Sequence, residues 1–192
     1  KRFEQEILAE FVDAATVFSN INELVYTPTG TTENYYAGID IAMKNDYTVV
    51  SILDDNGYMV AMDRFTDVDV TTLVNRVYDF LSKYKIKKTY IELNNQGLPV
   101  FNLLQEKLYS KIEGFNTTAT SKPEIINKLI AAFSIKEIRI IDNEILKNEL
   151  ESFEEKYTHT GKVTFSAPSG MHDDTVMSLA IAWECYNKNK HS

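Results

Sequence analysis

Four acidic residues stand where acids are either costly or well placed for chemistry. Asp40 sits in Gly38-Ile39-Asp40-Ile41-Ala42, amid Tyr36, Ile39, Ile41, Val49 and Val50, whose apolar character marks a mostly buried sheet. Glu92 sits inside the β-favouring run Thr89-Tyr90-Ile91-Glu92-Leu93, which stops at Asn94-Asn95-Gln96-Gly97. His172-Asp173-Asp174 opens the last helical pattern. A carboxylate taken out of water needs a metal ion or another cation beside it. Two strands and one helix start thus each deliver an acid, and a carboxylate cluster that holds cations is the chemistry to expect. Helical spacing puts Asp173 on one side with Val176 and Ala180, and Asp174 with Met177 and Ile181. Either is also a good helix cap, since Asp is favoured there for its own sake, so both stay candidates.

The elements that must position these acids follow from periodicity. A helix is expected from about Arg2 to Phe18, then a linker-like stretch, Thr27-Pro28-Thr29-Gly30-Thr31-Thr32, with the core after it. Tyr35 to Ile41, Tyr47 to Asp54 and Tyr58 to Phe65 read as three antiparallel strands, the last two joined by Asn56-Gly57, a strong hairpin signal. Val70, Leu73, Val74, Val77, Phe80, Leu81 and Tyr84 recur at helical spacing before the Glu92 strand. Then come a helix from Leu98 to about Ser110, a strand near Ile112 to Asn116, a helix from Lys122 to Phe133, a strand at Ile138 to Ile141 and an acidic helix from Asn143 to Glu155. Thr158 to Ser166 reads as a hairpin turning at Gly161, and the final helix runs from Asp173 to about Tyr186. The expected fold class is α/β.

Composition narrows the classes. A chain of 192 residues with 44% hydrophobic content suits one α/β core. No apolar run approaches the roughly 20 residues that cross a bilayer, and no charged-then-apolar leader opens the chain, so a soluble, unsecreted chain is expected. The single Cys185 allows no internal disulfide and no thiolate zinc cage, and reads as a core residue. The net charge of −8 argues against a chain that grips nucleic acid by itself. Lys83, Lys85, Lys87 and Lys88 crowd one junction and acids concentrate from Asp142 to Glu155; both read as solvated faces. Asp46, Asp54, Asp55, Asp63 and Asp67 read as ordinary turn and strand-end acids, and the eleven tyrosines as core and strand residues.

The Gly-Ile-Asp strand at Asp40, the Ile-Glu strand end at Glu92, Ser121-Lys122 before a helix, and His172-Asp173-Asp174 followed by Ala180 together resemble the nuclease domain of the large terminase subunit of tailed phages. That family has a ribonuclease H-like mixed sheet: three antiparallel strands, then helix-separated strands, flanked by helices. The opening Arg2-Phe3-Glu4-Gln5-Glu6 through Val17-Phe18 is similar to the segment where terminase ATPase domains hand over to the nuclease. The resemblance implies a junction segment over residues 1–33 and a nuclease domain over 34–192. No Gly-x-x-x-x-Gly-Lys-Ser/Thr loop occurs, so an ATPase domain, a small terminase subunit and a portal are implied only as partners of a longer protein. The implied activity is a metal-dependent endonuclease that cuts double-stranded DNA during genome packaging in the cytoplasm of an infected bacterium, with no membrane involved.

The family resemblance also implies the roles. Asp40 bridges two ions, Mg2+ or Mn2+, Glu92 binds one and Asp173 or Asp174 the other; two such ions roughly 4 Å apart activate water and stabilise the leaving oxygen. His172 is compatible with ordering a water, donating a proton, contacting phosphate or standing as a surface residue. Lys44, Asn45 and Lys122 are candidate contacts to the DNA backbone, while His159 and His191 read as solvated. Two other readings share the acids: a Holliday-junction resolvase or transposase-like nuclease, which normally carries a basic surface, and a catalytically silent docking module, which would bind no metal.

Overall fold

A computed structural model of the chain describes residues 16–42, 45–94 and 96–192. The elements in chain order are β1 (Val25–Tyr26), β2 (Tyr35–Asp40), β3 (Thr48–Leu53), β4 (Met59–Phe65), α1 (Val70–Leu81), β5 (Ile86–Glu92), α2 (Gly97–Leu108), β6 (Ile112–Phe115), α3 (Ser121–Ser134), β7 (Ile140–Ile141), α4 (Glu144–Ser152), β8 (Glu154–Tyr157), β9 (Val163–Ser166) and α5 (Asp174–Asn189).

Five strands form the central sheet in the order β4-β3-β2-β5-β6. The first three pair antiparallel, and β5 and β6 continue parallel to β2, as expected of strands separated by helices. All residues of β2 and β3 are buried, because both sheet faces are covered. Ala37, Ile39, Val50, Ile52 and Ile91 meet Leu73, Val77, Val100 and Leu104 of α1 and α2 on one face. Tyr36 and Leu53 belong to the core on the other face, with Leu129 and Phe133 of α3 and Val176 and Leu179 of α5. Asp69 caps α1 by accepting from Thr72 N at 2.7 Å. Asn56-Gly57 turns the β3–β4 hairpin with Gly57 at φ 78°, where a Cβ would stand 2.8 Å from the Trp183 ring and 2.7 Å from that of Tyr186. No described helix is long and apolar enough to cross a membrane.

Four local expectations change. Most of the helix expected from Arg2 to Phe18 lies outside the described residues, and Thr16 to Phe18 are not helical. The stretch expected to precede the core is partly inside it: Phe18, Ile21 and Leu24 are buried, and Phe18 packs on Phe133 at 5.0 Å and Phe153 at 5.6 Å between ring centroids. The strand expected at Ile138 to Ile141 shrinks to two residues, which pair with β1 in a separate parallel ribbon rather than joining the sheet. The acidic helix ends at Ser152, and Glu154–Tyr157 leaves it to pair with β9, so Thr158 to Gly161 is the turn and not a strand. Glu and Lys favour helix locally, but Phe153 stacks on Phe165 with centroids 6.2 Å apart, and tertiary packing overrides the propensity.

The site depends on where α5 meets β2. At Gly38 a Cβ would lie 2.2 Å from the backbone nitrogen of Ala182 and 2.5 Å from the carbonyl oxygen of Ser178, so helix and strand touch backbone to backbone. Ser178 Oγ donates to Gly38 O at 2.9 Å and lies 2.8 Å from Ser51 Oγ, all within the buried interface. No rotamer can relieve a clash with backbone. Gly38→Ala is therefore expected to cost about 1–3 kcal/mol by overpacking, measured by urea unfolding; a loss below half of the lower figure would contradict the contact.

Candidate metal centre

The carboxylates meet at the ends of β2 and β5 and the start of α5. Asp40 is the last residue of β2 and is 7% exposed. Ile39 lies opposite Ile91, which brings the next residues, Asp40 and Glu92, side by side on one face of the sheet. Thr117 Oγ1 donates to Glu92 Oε1, and Asn94 Nδ2 donates to the same oxygen at 2.9 Å, so the loops after β5 and β6 orient that carboxylate. Asp40, Glu92, Asp173 and Asp174 all line one cavity of about 400 Å3, with Asp46 and Lys122. A larger cavity of about 800 Å3 lies around Tyr26, Tyr35, Tyr58 and Tyr84 and takes in one carboxylate, Asp54. Asp54 Oδ1 already accepts from Asn56 N and Tyr58 N in the hairpin turn, so the acid chemistry belongs to the smaller cavity.

The start of α5 explains why both aspartates face the cavity. Asp173 is the N-cap residue yet makes no side-chain capping bond. That task falls to Glu149 of α4, a buried carboxylate whose Oε1 accepts from Thr175 N at 3.0 Å and Thr175 Oγ1 at 2.7 Å. Asp174, 6% exposed, accepts from Tyr47 N at 3.2 Å. Asp173 lies 3.9 Å from Lys122 Nζ.

His172 and an acid passed over in the sequence complete the rim. His172 Nδ1 is 3.2 Å from Asp46 Oδ1 and 3.7 Å from Asp174 Oδ2, and one ligand atom from each of the three lies within 4.8 Å of the others. Asp46 was legible only as a turn acid; its distance of six residues from Asp40, across the loop between paired strands, was the available signal. Asn45 is exposed and takes φ 70°, a turn conformation, and does not line the cavity. Lys44 lies outside the described residues. His159 and His191 are exposed on the hairpin turn and the terminal tail, and Cys185 is buried in the core with its thiol pushed up by burial.

Electrostatics point to a cation. Burial, then the hydrogen bond and charge of Glu92, then the charges of Asp174 and Asp173, hold the Asp40 carboxyl well above the usual carboxylate range. Burial raises Asp174 to about 7, opposed by the Tyr47 N–H and reinforced by Asp46, Asp173 and Glu149. Oxygen donors crowded this closely suit a hard divalent ion, whose charge removes the repulsion.

The family model for the terminase RNaseH-like domain matches residues 37–184. The chain belongs to that family. This terminase RNase H-like domain is 28% identical, over 96% of its length, to the large terminase subunit of Thermus virus P23-45, and spans 41% of that relative. It is superimposable on the large terminase nuclease of thermophilic phage G20c with a TM-score of 0.75 at 23% identity, covering 88% of this chain and 97% of that one. The same G20c nuclease with bound magnesium gives 0.73 at 23% identity, over 88% and 96% of the two chains. At such identity the likeness carries the fold, and the fold is the expected ribonuclease H-like one.

The raised carboxyls of this terminase domain fix the sign of a pH effect. Asp174 binds its proton more tightly folded than unfolded, so its contribution to stability is complete below the ordinary 3.8 and is lost as pH rises through about 7; Asp40 adds in the same direction. Metal-free protein is expected to lose thermal stability over that window, and millimolar Mn2+ near neutral pH to restore it. Asp40→Asn should raise the metal-free melting temperature and weaken the response to Mn2+. Thermal unfolding with and without EDTA checks this; a flat metal-free profile would contradict the assigned burial and charge crowding of Asp40 and Asp174.

Proposed function

We propose that this domain is a metal-dependent endonuclease that hydrolyses phosphodiester bonds of double-stranded DNA, cutting concatemeric genomes during packaging. The observation that supports it most is the convergence of Asp40, Glu92, Asp173 and Asp174 on one cavity, with Asp40 driven towards its neutral form until a cation arrives.

Asp40 adjoins Glu92 and shares the cavity with the α5 aspartates; on this reading Asp40 would bridge two ions, Glu92 would hold one and Asp173 or Asp174 the other. Two Mg2+ or Mn2+ ions bound there would supply the activated water and the stabilised leaving oxygen. The carboxylates act as holders: Asn94 and Thr117 fix the Glu92 oxygen, Tyr47 N–H fixes Asp174, and Lys122 beside Asp173 is placed to meet a phosphate. Residues 34–192 form the nuclease domain, and 1–33 the junction to an ATPase domain, docked through Phe18, Ile21 and Leu24. In the longer protein, double-stranded DNA, the ATPase domain, a small terminase subunit and a portal are the partners, in the cytoplasm of an infected bacterium.

The test is nicking and linearisation of supercoiled plasmid with Mn2+, Mg2+ or EDTA. Wild type should cut in metal and stop in EDTA, and Asp40→Asn should fall at least about a thousandfold, as loss of a metal-holding transition-state contact predicts, while remaining folded by circular dichroism. Undiminished cutting by Asp40→Asn would remove the assigned site, and absence of both cutting and Mn2+ binding in wild type would favour a docking module.

A further inference from the structure

Asp40 belongs to a row that crosses the sheet. Its partner on β3 is Val49, and the partner of Val49 on β4 is Arg64. On the other side stands Glu92, itself opposite Phe115 on β6. Paired residues share a sheet face, so Arg64 leaves the sheet on the same face as Asp40 and Glu92. Two strand spacings put it about 10 Å from Asp40 along the row.

Arg64 is held but not neutralised. Its guanidinium carbon is 3.4 Å from the centroid of the Tyr47 ring. Tyr47 in turn donates its backbone N–H to Asp174 and packs edge-on against His172, with ring centroids 5.4 Å apart. Among the described residues Arg64 Nε is buried without a hydrogen-bond partner, and no ion pair includes Arg64. The neighbouring acid, Asp63, points to the opposite face, where Arg76 takes both its oxygens at 2.8 and 2.9 Å. A guanidinium with unspent donors beside a catalytic cluster, in a chain of net charge −8, is suited to an anion that comes and goes. Lys122, which opens α3, lines the acid cavity and stands 3.9 Å from Asp173. The site therefore has one cation, Lys122, beside Asp173 and a second, Arg64, two strands from Asp40 along the row.

We infer that Arg64, held by Tyr47, binds a DNA backbone phosphate that flanks the scissile one, and so sets the path of the strand across the sheet ends from β4 towards Lys122. The inference rests on the nuclease reading above. Arg64 is a binding and positioning residue; it holds no metal and takes no part in bond cleavage.

The experiment is Mn2+-dependent cleavage of a short duplex by wild type, Arg64→Gln and Arg64→Lys over a range of NaCl, with Mn2+ affinity measured separately by calorimetry. Arg64→Gln should raise KM about tenfold, the loss of one charge-assisted hydrogen bond, with kcat reduced much less and Mn2+ affinity retained. The log–log salt dependence of kcat/KM should become shallower by about 0.9, one phosphate contact fewer on B-form DNA, and Arg64→Lys should restore that slope. An Arg64→Gln enzyme with the wild-type salt slope overturns the inference, whatever its KM, because support of the Tyr47 ring alone would leave the slope in place. Wild type that cuts nothing in Mn2+ overturns the nuclease reading instead and takes this inference with it, so the two failures are distinct.

Discussion

The backbone contact between α5 and β2 at Gly38 sets the geometry on which the acidic site depends. Asp40 is two residues along the strand from that contact, and Asp174 is one helical turn before Ser178, about 5.4 Å along the axis. The two carboxylates most disfavoured as ions are thus each a few ångströms from a junction that has no side chain to flex. Burial is the main reason they are disfavoured, with Glu92 adding to it at Asp40 and Asp46 and Asp173 at Asp174. The junction is held by the missing Cβ, the Ser178 bond to Gly38 O and the second hydroxyl contact to Ser51, polar groups that are buried yet satisfied. A slacker interface would let the acids separate, and the cavity would lose the closeness that suits it to a hard divalent ion.

A second carboxylate, Glu149, solves a problem created by the first requirement. A helix start needs acceptors for its free N–H groups, and Asp173 or Asp174 would ordinarily supply one and be turned away from the cavity. Glu149 reaches across from α4 to take Thr175 N and Oγ1, so the aspartates keep their oxygens for the cavity. The cost is one more buried negative charge near Asp174. The site is therefore held short of its electrostatic optimum by charge rather than by backbone, and a bound cation would relieve that.

Much of this was legible in the sequence where a residue broke its local pattern. Asp40 and Glu92 stood out as charges inside apolar strands, and Asn56-Gly57 fixed the hairpin that places β4 beside β3. Asp46 was not legible, because an acid after a turn is ordinary; its significance comes from His172, 126 residues away. Glu149 was hidden in an acidic helix, although its spacing from Leu146 and Leu150, both buried, put it on the core-facing stripe. The β1–β7 ribbon and the early end of α4 depend on pairings between distant segments, which local propensity does not encode. Arg64 was likewise invisible, since only the register across β3 reveals that it shares a face with Asp40.

On the nuclease reading, the overall charge also has a mechanical meaning. A chain at −8 gains little from phosphate neutralisation, and the acids that hold metal repel DNA until ions arrive. Two divalent ions would cancel half of that net charge, at the one place where the backbone must come close. Metal loading and DNA approach then become a single coupled event, with Arg64 and Lys122 supplying direction rather than affinity. On that reading weak, salt-sensitive binding follows for the domain alone, and a sustained grip on DNA would fall to the proposed partners. The division would suit the proposed packaging role: the domain would cut when DNA is presented to it and otherwise let go.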